Sequence, residues 1–223
     1  YLNKAKQYAQ NVIKSPDIST TQLAKAYFYL GSTEGYLGIL EYGVGNYFSA
    51  FSNGLQADGH LEKALQLDPG LTDAYLGLGV YRYANSRVGG LGNLIMQWGR
   101  DLRHTGILQV EQALNAETYI MPLAFKTLIW FYISEQINPR NADLSDNHPL
   151  SITACRKRAV ELLKEMESRY FKNPPNPDFI GSKDLALMKA IQSFLDKDFA
   201  SAKTEFEKIV KISNYLRDKK GYK

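Results

Sequence analysis

Ala24, Gly31 and Gly38 recur every seven residues, and Ala50, Ala57 and Ala64 do the same beyond the Gly43-Val44-Gly45 break. Seven residues are close to two helical turns, so each series forms a stripe on one helix face. Folded back about Val44, the stripes meet in order: 24 with 64, 31 with 57, 38 with 50. Small side chains on both facing stripes let the two backbones approach closely, so such a pair packs by shape as well as by apolar area. The expectation is an antiparallel helical hairpin bent at Val44, with each arm about six turns long.

The bulk composition allows a core and narrows the class. With 223 residues, 44% of them hydrophobic and 22% charged, the chain suits an ordered globular protein. The longest uncharged stretch, Tyr42 to Ala57, is broken by glycine, asparagine and serine, and is shorter than the roughly 18 residues a membrane span requires. One cysteine, Cys155, excludes an internal disulfide framework and a cysteine-based zinc cluster. It opens a helix beside Arg156, Lys157 and Arg158, which could activate a thiol, but small core filler is the simpler reading.

The net charge of +4 is concentrated in the last third, where residues 154–223 hold 16 Lys+Arg against 10 Asp+Glu. Acids such as Glu161, Glu165, Glu205 and Glu207 interleave with the bases there, as on a solvated helical face. No aromatic-plus-basic module accompanies them, so no nucleic-acid partner is expected. The chain opens at Tyr1 inside an apparently helical segment, and a segment removed upstream is the expectation.

Turn signals divide the chain into a lone helix and four hairpins. The lone helix, within 1–16, stops at Ser15-Pro16. The elongated hairpin spans 20–68, with Thr20 or Thr21 as its N-cap and Asp68-Pro69-Gly70 as its end. A second hairpin, 72–116, carries an apolar insert at 88–99 with Leu91, Leu94, Ile95, Met96 and Trp98. A third, 119–172, contains the polar loop 137–150, long enough to be either mobile or functional, and Ser151 caps the helix that follows. A C-terminal hairpin, 178–217, turns at Asp196-Lys197-Asp198, with a basic tail that frays after Tyr215.

The hairpins are internally related. Tyr27, Leu30 and Gly31 match Tyr75, Leu78 and Gly79 at a displacement of 48 residues, and Ala64-Leu65 matches Ala113-Leu114. With Pro69 as a closing proline, Ala57, Leu61 and Ala64 precede it in a second helix, and Phe199, Ala202 and Phe206 repeat the pattern later. This resembles the tetratricopeptide repeat, a helical hairpin unit of about 34 residues. The first hairpin exceeds that unit by two heptads, one in each arm, which keeps the stripes in register. In this it is similar to a bacterial group of tetratricopeptide-like proteins with an elongated first hairpin and no agreed activity. The resemblance implies an all-α, right-handed superhelical array of hairpins over 1–223, a single repeat domain. It further implies an exported or envelope-associated setting; the compartment itself is not written in the residues.

Polar residues on the first helices supply the candidate site. Glu34 and Glu41 lie seven apart on a helix that is apolar almost all round, and a carboxylate there must be paired or hydrated. Arg82, at the equivalent offset in the next hairpin, is the expected partner of Glu34. Two readings stand: a structural ion pair between neighbouring units, or a charged groove walled by Tyr36, Tyr81 and Tyr83. The apolar insert likewise either caps one end of the groove, with Trp98 against the first helices, or faces a partner or lipid surface. His60, His104 and His148 share no metal-ligand spacing, and no nucleophile, phosphate-cradle or metalloprotease motif is present.

The expected function is therefore non-catalytic, without cofactor or metal. A protein or peptide partner would be held by Glu34, Tyr36, Glu41, Arg82, Tyr83 and Trp98. The alternative is a small-molecule or lipid-binding envelope protein with a pocket under the insert.

Overall fold

The computed structural model describes residues 1–87, 101–116, 118–171 and 180–220, and the side chains of all these except 180–182 and 219–220. Among the described residues there are nine α-helices and no strand. They are α1 (Leu2–Ile13), α2 (Thr20–Gly43), α3 (Tyr47–Leu67), α4 (Ala74–Arg87), α5 (Arg103–Asn115), α6 (Met121–Gln136), α7 (Ile152–Tyr170), α8 (Ile180–Leu195) and α9 (Phe199–Lys220). The fold class is all-α. The chain forms two compact units, Tyr1–Ala124 and Phe125–Lys223.

The first unit is built on the α2–α3 hairpin. Ala24 and Ala64 are both fully buried, and a β-carbon on Gly31 would lie 3.0 Å from the Ala57 carbonyl oxygen. One on Gly38 would lie 3.1 Å from that of Ala50. The expected register and the bend at Val44 both hold. Gly45 makes the bend at φ +80°, where glycine has no steric penalty. Ser19, one residue before the expected cap, starts α2 by accepting from the Gln22 amide while the Gln22 side chain accepts from the Ser19 amide. That reciprocal arrangement satisfies two otherwise orphan donors.

α1 and α4 cover different faces of this hairpin. α4 packs through Leu78 and Ala74 on Leu61, with Phe28 and Leu65 at the edge of the same cluster. α1 packs on α2, where Lys6 reaches Glu34. Phe28 and Glu34 are six residues apart, about 120° round the helix, so α4 lies on the Phe28 side and α1 on the Glu34 side. α5 then folds against α4 through a glycine-to-glycine contact described below.

In the second unit Leu128, Ile129, Leu162 and Met188 are fully buried, and the Phe125 ring stands edge-on to Tyr170. Ser151 caps α7 through the Ala154 amide, as the sequence indicates. Cys155 is completely buried, its thiol 3.7 Å from the Pro149 carbonyl oxygen, so it is core. The α8–α9 turn falls at Asp196-Lys197-Asp198, with Lys197 at φ 62°. α9 continues to Lys220, past the expected end of order at Tyr215.

The loop at 137–150 is ordered, and the reason is a buried carboxylate. Glu135, at the end of α6, is wholly buried. Its Oε2 accepts from the side-chain amides of Asn138 and Asn141 at 3.1 and 2.7 Å, and Asn141 also donates to the Glu135 carbonyl at 2.9 Å. The loop's polar residues thus form its own interior, and Leu150 anchors its far end in the core.

Candidate functional site

Among the described residues of the first unit, Glu34 is the most deeply buried charge, at 1% exposure. Its Oε2 lies 2.6 Å from His60 Nδ1 on α3, and its Oε1 lies 2.9 Å from Lys6 Nζ on α1. The Lys6 ammonium is out of line for a hydrogen bond, so Oε1 has an ion-pair neighbour without an aligned donor. The Tyr27 ring tilts over His60, with centroids 5.8 Å apart. Three helices converge on one carboxylate.

Arg82 is not part of this cluster, contrary to expectation. Its Nε donates to Asp58 Oδ1 at 3.1 Å and another guanidinium nitrogen pairs with Glu62. Arg82 extends from α4 to Asp58 and Glu62 on α3, whereas Glu34 lies between α1 and α3 and is occupied there by Lys6 and His60. An ion pair between neighbouring hairpins does exist, built from different acids. Burial pushes the Asp58 carboxyl above its ordinary value, and the attraction of Arg82 opposes that shift only in part. Burial likewise raises the Tyr81 phenol, whose hydrogen bond to Asn85 works the other way.

The other expected groove residues disperse. Tyr83 is 5% exposed, its backbone and β-carbon pressed against Gly106, so it is packing rather than a groove wall. Tyr81 lies over Gly54, where an added β-carbon would fall 2.6 Å from its Cε2. Glu41 sits at the hairpin end and accepts from the Asn46 side chain at 2.7 Å, away from Glu34. Tyr36 alone is well exposed, at 55%. Trp98 and the apolar insert lie outside the described residues.

Exposed apolar side chains gather on the α2–α3 hairpin instead. Tyr29, Tyr36 and Leu40 line the side of α2 turned away from α3. Tyr42, Val44, Tyr47 and Phe48 crown the bend, with Tyr42 and Tyr47 in an edge-on ring contact at 5.4 Å. The sequence carried a signal for this surface: no lysine or arginine occurs from 26 to 62, while large apolar residues fall off the small-residue stripe. His60 and Lys6 were not readable as partners of Glu34, because heptad pairing sets helix register but not the reach of long side chains.

Among the described residues no helix is long and apolar enough to cross a membrane, and no group of three or more His, Cys, Asp or Glu is placed to hold a metal ion. No protein-family model, curated protein or solved structure matches the chain.

Proposed function

We propose that this chain is a non-catalytic scaffold, a tetratricopeptide-like array of hairpins in a right-handed superhelix, that holds a peptide or helix of a partner protein. The observation that carries the reading is the exposed stripe on α2, formed by Tyr29, Tyr36 and Leu40 at 55–60% exposure. In such arrays the first helix of each hairpin lines the inner wall, and stacking of units makes that wall an extended surface. Tyrosine suits the task, giving a large contact area and a hydroxyl at low entropic cost.

The charged residues support the same reading by being occupied. Glu34 is spent on Lys6 and His60, and Arg82 on Asp58 and Glu62, so these groups hold helices together. The proposed wall uses Tyr36, which is exposed, and leaves out Tyr83, which is buried.

The test is selection of a random peptide library on the full chain, followed by titration of the selected peptides against Tyr36→Ala and Leu40→Ser. Affinity should fall about tenfold or more in each variant while thermal melting is unchanged. Peptides that bind both variants as they bind the parent, or a library that yields no binder, would refute the proposal.

A further inference from the structure

We infer that His60 is a phosphoryl-acceptor site, whose Nε2 takes a phosphoryl group from a phosphoramidate, a donor with a labile P–N bond. This modification goes beyond the peptide-binding role and uses none of the α2 stripe.

His60 is held by one ring nitrogen and offers the other. Its Nδ1 lies 2.6 Å from Oε2 of Glu34, a side chain only 1% exposed. A carboxylate can only accept, so Nδ1 carries the proton and the free lone pair falls on Nε2. No hydrogen bond among the described residues reaches Nε2, and the His60 side chain is 30% exposed. The Tyr27 ring, tilted at 30° with centroids 5.8 Å apart, flanks the imidazole and with Glu34 fixes its orientation. His148 has the opposite arrangement. Its Nδ1 accepts from the Leu150 amide at 3.1 Å, so the proton sits on Nε2 and the lone pair is already engaged.

Charge selects the electrophile. Lys63 follows His60 by three residues, one turn along α3 and about 60° round it. It is exposed and forms no ion pair among the described residues. The two acids of α3, Asp58 and Glu62, stand about 160° from His60 and are held by Arg82. α1, which brings Lys6 to the other Glu34 oxygen at 2.9 Å, carries no acid at all. An incoming phosphoryl group therefore meets an unengaged cation, while the nearby carboxylate lies behind the Nδ1 proton. A metal ion would require further ligands, and among the described residues no group of three or more His, Cys, Asp or Glu is placed to supply them. Phosphoryl transfer asks for less, a positioned nucleophile with positive charge beside it.

The step balances. The Nε2 lone pair attacks phosphorus in line with the donor's P–N bond. That bond breaks, and its electron pair leaves with the donor nitrogen, which departs as a neutral amine. The imidazole gains the positive charge, and the Glu34 carboxylate neutralises it across the Nδ1 proton. One P–N bond replaces another, so no oxidant or reductant takes part.

The experiment treats the full chain with phosphoramidate at about pH 8, where free imidazole is neutral, and follows phosphoryl mass gain on each histidine-bearing peptide. His60 should react at least about tenfold faster than His104 and His148, with a label lost in acid and kept in alkali. Lys63→Ala should slow this reaction about threefold or more without changing the melting curve, because a cation beside the phosphoryl oxygens is gone. Diethyl pyrocarbonate, an uncharged acylating reagent, should modify His60 of both proteins at the same rate. Equal phosphorylation of the three histidines would overturn the inference. So would a His60 that is acylated but never phosphorylated, or one phosphorylated equally fast without Lys63. Tyr36→Ala should leave the phosphorylation rate unchanged, so this proposal and the peptide-binding one fail separately.

Discussion

Gly79 and Gly106 press their backbones together where α4 meets α5. A β-carbon on Gly79 would stand 2.5 Å from the Gly106 carbonyl oxygen, and one on Gly106 would stand 2.6 Å from that of Gly79. The neighbouring obstacles are also hard: Val110 Cγ2 at 2.5 Å from the first, and the Tyr83 backbone nitrogen at 2.8 Å from the second. Backbone cannot swing aside as a side chain can, so the approach of these helices depends on both residues lacking a β-carbon.

Gly79→Ala and Gly106→Ala should therefore each destabilise the first unit by about 3 kcal/mol, at the upper end of ordinary overpacking. Gly59→Ala is the control. Nothing lies within 4 Å of its β-carbon site on the exposed side of α3, and alanine there should add about 0.5–1 kcal/mol through helix propensity. Chemical denaturation of the three variants checks both signs. Equal behaviour of Gly59→Ala and Gly79→Ala would mean that the α4–α5 contact is looser than described.

Gly31→Leu tests the register that the small-residue stripes encode. The new side chain would meet Leu61 Cγ at 2.9 Å and the Ala57 carbonyl oxygen at 3.0 Å from its first carbon alone. A loss of about 3 kcal/mol or more, or failure to fold, is expected. A melting curve like the parent's would contradict the pairing of 31 with 57.

The legible and illegible parts divide on physical lines. Heptads of alanine and glycine report backbone proximity, and so the α2–α3 register and the bend at Val44 follow from them. Gly79 fell within the repeat-like pattern of the second hairpin. Gly106, its counterpart, carried no such mark because a single glycine has no period. The Glu34 cluster depends on side chains several ångströms long, reaching from α1 and α3. An offset between repeats therefore proposed Arg82, which reaches Asp58 and Glu62 on α3 instead. Tyr83 illustrates the same limit: tyrosine at a first-helix position can face inward or outward, and only the neighbour, Gly106, decides.

The Glu34 cluster should behave as a coupled unit. Replacing His60 by alanine removes the donor to a carboxylate at 1% exposure, and a loss of about 1–3 kcal/mol is expected. Glu34→Gln should cost less in the absence of His60 than in its presence. In the double variant neither partner of the His60–Glu34 contact remains, and Lys6, 24% exposed, keeps access to water. A double-mutant cycle by urea denaturation measures the coupling. Additive losses would show that Glu34 and His60 merely lie side by side.

Asp58 gives a pH-dependent prediction with a definite sign. Burial raises its folded-state pKa above 3.8, so the folded protein holds this proton more tightly than the unfolded chain does. The stabilisation from that proton is therefore present at acidic pH and is lost as the pH rises from near 3.8 through the folded-state value. Asp58→Asn has no such proton to lose. Relative to this variant, the parent should become less stable between mildly acid and neutral pH. Denaturation midpoints of both proteins across that range check the sign. A parent advantage that grows with pH would mean that attraction to Arg82 outweighs burial.

Glu135 makes the order of the 137–150 loop depend on one side chain. Glu135→Ala would remove the carboxylate acceptor of the Asn138 amide and one of the acceptors of the Asn141 amide, residues 5% and 1% exposed, and would open a space at the end of α6. Buried amides without acceptors are costly, so the second unit should lose about 2–4 kcal/mol. Glu135→Gln keeps an acceptor oxygen and should recover part of that loss. The diagnostic readout is local: Glu135→Ala should expose the loop to limited proteolysis between Ile137 and Leu150 at temperatures where the helices still give a native circular dichroism spectrum. Protection of that segment equal to the parent's would show that Leu150 and the Ser151 cap hold the loop without the carboxylate.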